Sequence, residues 1–115
     1  MYSYFARFIH QVSPQIVPFT SGDGPVNSGE SVSLTCSVSR GDQPLEFFWF
    51  FNGQKILLAK RQDLLITINK RRSTLEIESV NADHSGEYTC TVSNEAGATS
   101  YSSILAVNGN FCNWK

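Results

Sequence analysis

A chain of 115 residues, 41% apolar and 17% charged with a formal net charge of −1, holds one domain large enough for a core of its own. So neutral a balance excludes a nucleic-acid surface, which needs a concentrated basic excess. No run approaches the roughly 18 apolar residues of a membrane span.

Residues Met1 to Ser13 are aromatic-rich without period and are expected to form an N-terminal extension (1–13) outside the fold. The first residues, interrupted by Arg7, His10 and Gln11 with no small-residue cleavage site after them, do not read as a signal peptide. The domain is expected over 14–107. Pro14-Gln15-Ile16-Val17-Pro18-Phe19 suits an edge strand, where proline's missing donor is tolerated. Gly22-Asp23-Gly24-Pro25 is a turn, and Val26 begins a short segment ending at Ser28-Gly29-Glu30. From Ser31 to Val38 the text alternates, with Val32, Leu34, Cys36 and Val38 on one face and Ser31, Ser33, Thr35 and Ser37 on the other. Period two of this length is a half-buried strand.

Gly41-Asp42-Gln43-Pro44 makes the next loop. Leu45 to Phe51 then places Phe47, Trp49 and Phe51 on one face and Phe48 and Phe50 on the other. Asn52-Gly53 signals a tight hairpin leading to Ile56-Leu57-Leu58, a further strand or a crossing between sheets. Leu64, Ile66 and Ile68 share a face of the following strand, which shows Leu65 and Thr67 outward. Lys70-Arg71-Arg72-Ser73 is read as a turn, after which Leu75 and Ile77 alternate with Glu76 and Glu78. Val80 covers a corner before the strand carrying Tyr88, Cys90 and Val92 inward. Asn94-Glu95-Ala96-Gly97 turns into a last strand, from about Ala98 to Val107, with Leu105 and Val107 inward. The tail 108–115 leaves the pattern as a C-terminal extension. Its Cys112, the odd thiol of three, suits an interchain disulfide or an extension unrelated to folding.

Catalytic chemistry has no foothold. The two histidines, His10 and His84, stand in the extension and at a corner, and no serine nucleophile is brought to either. No ligand-type residues show zinc spacing, and Gly22-Asp23-Gly24 lacks the further carboxylates of a calcium loop. The chain is therefore expected to be no enzyme and to need no cofactor and no metal. The short basic clusters Lys60-Arg61 and Lys70-Arg71-Arg72 fit a glycan-binding patch or, more simply, solvated turns. No Asn-X-Ser/Thr sequon occurs, so no N-glycan is expected to shield either sheet.

One ordered set ties these strands together: Cys36, then Trp49, then Tyr88 two residues before Cys90. The arrangement resembles that of an immunoglobulin sandwich, an all-β, two-sheet Greek-key fold. There a disulfide joins strands B and F, the strand-C tryptophan packs on the sulfurs, and the tyrosine hydroxyl bonds back to the E–F corner. The resemblance implies a Cys36–Cys90 bond with Trp49, Leu75 and Tyr88 in the core; two buried free thiols are the alternative. A disulfide framework in turn implies an oxidising compartment, and so a fragment of an exported, longer protein. The Asn94-Glu95-Ala96-Gly97 turn and Ser73-Thr74-Leu75-Glu76-Ile77 resemble the I-set in particular. Pro14 to Phe19, Pro25 with Asn27-Ser28-Gly29-Glu30, Gly41-Asp42-Gln43-Pro44-Leu45 and Ala82-Asp83-His84-Ser85-Gly86 resemble the variable immunoglobulin domains of arthropod Dscam (Down syndrome cell adhesion molecule) proteins, the seventh domain above all. One departure is His84, six residues before Cys90, where most I-set domains carry an aspartate. It puts the usual corner ion pair in doubt and opens two readings, a pH-sensitive histidine or an exposed or simply hydrogen-bonded one.

Function then falls to surfaces. The sheet of strands A (Pro14 to Phe19), B (Ser31 to Val38), E (with Leu75 and Ile77) and D (Leu64 to Ile68) shows Ser33, Thr35, Ser37, Leu65, Thr67, Glu76 and Glu78 outward, small hydroxyls flanked by charge. The Dscam resemblance implies antiparallel homophilic pairing through this sheet, with Lys70, Arg71 and Arg72 as candidate partners for the glutamates. The expected partner is a protein, another copy or a related isoform. The expected place is the cell surface, with any membrane attachment through other parts of a longer chain. The competing surface is the sheet of strands C, F and G with Phe48 and Phe50, unless Ile56-Leu57-Leu58 covers them. A heterophilic receptor domain and an intracellular load-bearing I-set domain are the other readings.

Overall fold

The computed structural model describes residues 11–22 and 24–108. The expectations for Met1–His10, Asp23, Cys112 and the rest of the tail after Asn108 lie outside them. Ten strands occur among the described residues: β1 (Gln15–Val17), β2 (Val26–Asn27), β3 (Val32–Arg40), β4 (Glu46–Phe51), β5 (Gln54–Lys55), β6 (Leu64–Ile68), β7 (Arg72–Ile77), β8 (Gly86–Asn94), β9 (Gly97–Leu105) and β10 (Val107–Asn108). They form one antiparallel sheet in the order β1-β3-β7-β6 and another in the order β5-β4-β8-β9, with a small parallel pair β2·β10. This is the two-layer all-β sandwich.

The period-two pattern explains the layers. Val32, Leu34, Cys36 and Val38 of β3, Leu75 and Ile77 of β7, and Tyr88, Cys90 and Val92 of β8 are all buried between the sheets. Cys36 and Cys90 are bonded across the layers, S–S 2.05 Å, and both are fully buried. Trp49 stands opposite Cys90 in the β4·β8 register, its ring edge-on to Phe19 at 5.8 Å. The indole N–H donates to Ser73 Oγ at 2.9 Å, and the Tyr88 hydroxyl donates to the His84 carbonyl at 2.8 Å. Burial pushes the Tyr88 phenol up to about 12, so it stays a donor throughout the physiological range.

Two local expectations change, and of the two readings of Ile56-Leu57-Leu58 the crossing holds. The turn expected over Lys70 to Ser73 is shorter. Asn69 accepts from the Arg71 and Arg72 N–H groups through its side chain and bonds back to the Arg72 carbonyl, so β7 already begins at Arg72. Ser73 is therefore a strand residue facing the core, wholly buried. Ile56-Leu57-Leu58 is not a strand: β5 ends at Lys55, and a 3-10 turn over Leu58–Lys60 crosses between the sheets. Ile68 has the inward parity expected of it but lies at the open end of β6, 58% exposed.

Short loops hold the ends. Asn52 and Gly53 both take positive φ, as a two-residue hairpin requires. The Asn52 side chain accepts from the Glu87 N–H, and a Cβ on Gly86 would lie 2.6 Å from its oxygen. Gly41, at φ +136, leaves room for Pro14 in the same way: a Cβ there would meet the proline Cα at 2.8 Å. The next residue, Asp42, exchanges hydrogen bonds with the Val12 backbone, and Asn94 donates to the Val12 and Asp42 carbonyls. Ordered contacts thus reach back to Val12.

Candidate interaction surface

The outward residues of the β1-β3-β7-β6 sheet line up in rungs because the register is regular. One rung reads Val17, Ser37, Arg72; the next Thr35, Thr74, Thr67; the third Ser33, Glu76, Leu65. Ser33, Leu65, Thr67 and Glu76 are exposed, and Thr35 and Ser37 are half-buried between taller neighbours. The Thr35 and Thr74 hydroxyls lie 3.4 Å apart at the centre. Glu78 stands past the end of β7, where it joins Glu76, Ser33 and Leu65 around an open groove of about 580 Å³.

Arg72 and Thr74 also belong to this face, Arg72 because the turn expected over Lys70 to Ser73 is shorter. The missed signal is parity, since counting back from Glu76 puts Thr74 and Arg72 on the same side. The three candidate basic residues divide. Arg71 is committed inside the domain, its guanidinium donating to the Val38 and Gly41 carbonyls at 3.3 and 3.1 Å. Lys70 and Arg72 are exposed.

Asp63, on the rim of the same groove, carries the corner network. The Arg61 guanidinium donates to both its oxygens, at 3.1 and 3.0 Å, and His84 Nε2 lies 2.7 Å from Oδ2. His84 is buried, and its Nδ1 accepts from the Asn81 N–H at 3.0 Å. A ring nitrogen facing an N–H can only accept, so the ring proton sits on Nε2 and points at Asp63. The histidine is thus hydrogen-bonded on both sides, and the carboxylate of the corner comes from the residue just before β6. Hydrogen bonds from Arg61, opposed by desolvation and helped by His84, hold the Asp63 carboxyl well below the usual carboxylate range. A depressed carboxyl stabilises the fold above its unfolded pKa, about 3.9, and that contribution fades as pH falls through the folded value. Because Asp63 is 46% exposed, solvent screening limits it to about 1 kcal/mol or less. Asp63→Asn is expected to lower stability by up to that amount at pH 7, with the gap to wild type closing below about pH 4. Urea unfolding at both pH values checks this; a gap that widens in acid would contradict it.

The opposite sheet is different in kind. Phe48 and Phe50 are half-buried, and the Lys55 ammonium sits 4.4 Å from the centre of the Phe48 ring. The expected cover by Ile56-Leu57-Leu58 is absent, since Ile56 packs on the core while Leu57 and Leu58 are exposed. Beside the rings run paired hydroxyls, Thr89 to Ser102 at 2.7 Å and Thr91 to Ser100 at 2.8 Å, with Ile104 65% exposed. Among the described residues no group of histidine, cysteine and carboxylate side chains could hold a metal, and no helix is long and apolar enough to cross a membrane.

Comparison with known proteins agrees with this architecture. Residues 13–94 match the family model for the immunoglobulin domain. The cell adhesion molecule Dscam1 of Drosophila melanogaster is 40% identical over 97 residues, which are 84% of this chain and 5% of that protein. The crystal structure of the Dscam1 Ig7 domain, isoform 9, superposes with a TM-score of 0.77 at 38% identity, covering 84% of this chain and all of that one. An I-band fragment of titin, I67-I69, superposes with a TM-score of 0.75 at 27% identity, over 85% of this chain and 33% of that one.

Proposed function

This chain belongs to the immunoglobulin domain family, and we propose that it is an extracellular adhesion or recognition module that pairs with its own kind through the outer face of β1, β3, β7 and β6. It spans about a twentieth of the curated relative it matches, so the reading makes it one bead of a longer cell-surface receptor. The observation that carries it is the charge pattern of β7. Arg72 and Glu76 stand equally far on either side of Thr74, about 13 Å apart at the rise of a strand. A two-fold axis across the threonine rung stacks two such faces antiparallel, with Arg72 of one copy over Glu76 of the other. Small hydroxyls at the centre allow close approach, and every charge contact occurs twice.

Like charges facing each other across an interface cost several kcal/mol, so the pattern also selects partners. Glu76→Arg is expected to weaken self-association at least about tenfold in sedimentation equilibrium. Arg72→Glu does the same, and the two swaps together restore pairing. Unchanged association in Glu76→Arg places the interface elsewhere. The half-open aromatics and hydroxyl ladder of the other sheet support a second, heterophilic reading, in which Phe48→Ser reduces binding of a foreign partner. The titin likeness supports a load-bearing role; a buried disulfide favours an oxidising compartment over that one.

A further inference from the structure

We propose that β6 is a second contact between copies of this chain, formed edge to edge through backbone hydrogen bonds and independent of the face contact above. Among the described residues β6 ends the sheet order, paired to β7 on one side only. Its five residues, Leu64-Leu65-Ile66-Thr67-Ile68, contain no charge, proline or glycine. Sheet edges of this length are ordinarily blunted by one of these, because an open row of N–H and C=O groups is a template for another strand.

Exposed apolar side chains gather at the same edge. Leu65 and Ile68 of β6, 56% and 58% exposed, are joined by Leu58, in the 3-10 turn that packs beside β6. The remaining exposed large apolar side chains of the described residues are Val12, Val17, Leu57 and Ile104.

A second copy is the occupant argued for, because the ladder phase makes β6 complementary to itself. The Asn69 N–H donates to the Arg72 carbonyl, and the Val38 N–H donates to the Arg71 carbonyl. Alternation from those bonds turns the backbone groups of Leu65 and Thr67 toward β7, and those of Leu64, Ile66 and Ile68 toward the open edge. Two β6 strands running antiparallel about Ile66 therefore meet with every edge group in phase. Ile66 pairs with Ile66 of the second copy and Leu64 with Ile68, each pair exchanging two hydrogen bonds. Leu65 falls opposite Thr67, an apolar against a β-branched side chain, and just beyond, Asp63 faces Asn69, so no like charges meet there.

The symmetry has a consequence for the proposed face. An antiparallel edge pair has its two-fold axis normal to the sheet, so both β1-β3-β7-β6 faces point the same way. Edge pairing side by side presents two faces at once, and an opposing pair is met with the avidity of both.

Two measurements on the 115-residue chain test this. In amide hydrogen exchange, Ile66 and Ile68 are expected to gain about tenfold protection between dilute and concentrated protein, while Leu65 and Thr67, already bonded to β7, change little. In sedimentation, wild type is expected to pass beyond dimer, whereas Ile68→Pro and Glu76→Arg each stop at dimer. The proline removes an outward N–H and an exposed side chain without touching a β6–β7 bond. Loss of the concentration-dependent protection in Ile68→Pro with the face dimer retained supports the edge contact. Exchange at Ile66 that ignores concentration overturns it, whether the chain is monomeric or pairs by the face alone. Protection that appears only when an apolar extended peptide is added also overturns it, in favour of a foreign strand. Failure of the face contact shows separately, as a Glu76→Arg variant that associates like wild type.

Discussion

Reduction of the Cys36–Cys90 bond is expected to remove roughly 4 kcal/mol of stability, the chain-entropy value for a closed loop of 54 residues. Both sulfurs are wholly buried, and two thiols fit such a site as small apolar groups, so the folded state loses little. The effect acts on the unfolded chain, which gains the freedom the cross-link denied it. Domains of this size have about 5–15 kcal/mol in all, and each kcal/mol moves the melting temperature by about 4–8 °C. Thermal unfolding with and without reductant should therefore differ by on the order of 20 °C. Melting within a few degrees would mean that the sandwich packing alone sets the stability.

Trp49→Ala is expected to cost about 3–5 kcal/mol, because the indole is 3% exposed and its neighbours can collapse only partly into the space. Part of the loss is polar. The indole N–H and the Ser73 hydroxyl are both buried and serve each other at 2.9 Å. Ser73→Ala orphans the N–H and is expected to cost about 1–3 kcal/mol, a large effect for so small a change. Trp49→Phe removes the donor and some volume. Adding Ser73→Ala to Trp49→Phe should then cost less than Ser73→Ala alone, since no N–H remains to be stranded. Urea titrations of the four proteins close the cycle; full additivity would show that the bond contributes nothing.

The layers, the cross-link and the buried faces were legible in the sequence because alternation reports directly on burial: Val32 to Val38 and Tyr88 to Val92 face where period two puts them. Turn residues proved harder. Lys70-Arg71-Arg72-Ser73 has turn composition, yet Asn69 initiates the turn one residue earlier and returns Arg72 and Ser73 to the strand. That shift concealed the Trp49–Ser73 bond and one member of the candidate face, Arg72. The corner network was illegible for another reason. His84 and Asp63 are 21 residues apart, and only the crossing between sheets brings the carboxylate to the ring. Conversely, the loop residues that carried the family resemblance have packing explanations: Gly41 admits Pro14, and Asp42 with Asn94 secures Val12.

That last clamp lies at one pole of the domain, beside the turn that ends β8. The β2·β10 pair lies at the other, where the Val107 N–H donates to Ser85 Oγ just before β8 begins. The length of β8 separates them, about 26 Å at the rise of a strand. A pull applied at Val12 and Asn108 would thus run along the long strands and load the parallel β2·β10 bonds in shear, all together rather than one after another. Receptors that grip opposing cells feel such tension, and a domain strung this way would keep its broad flanks intact while resisting it.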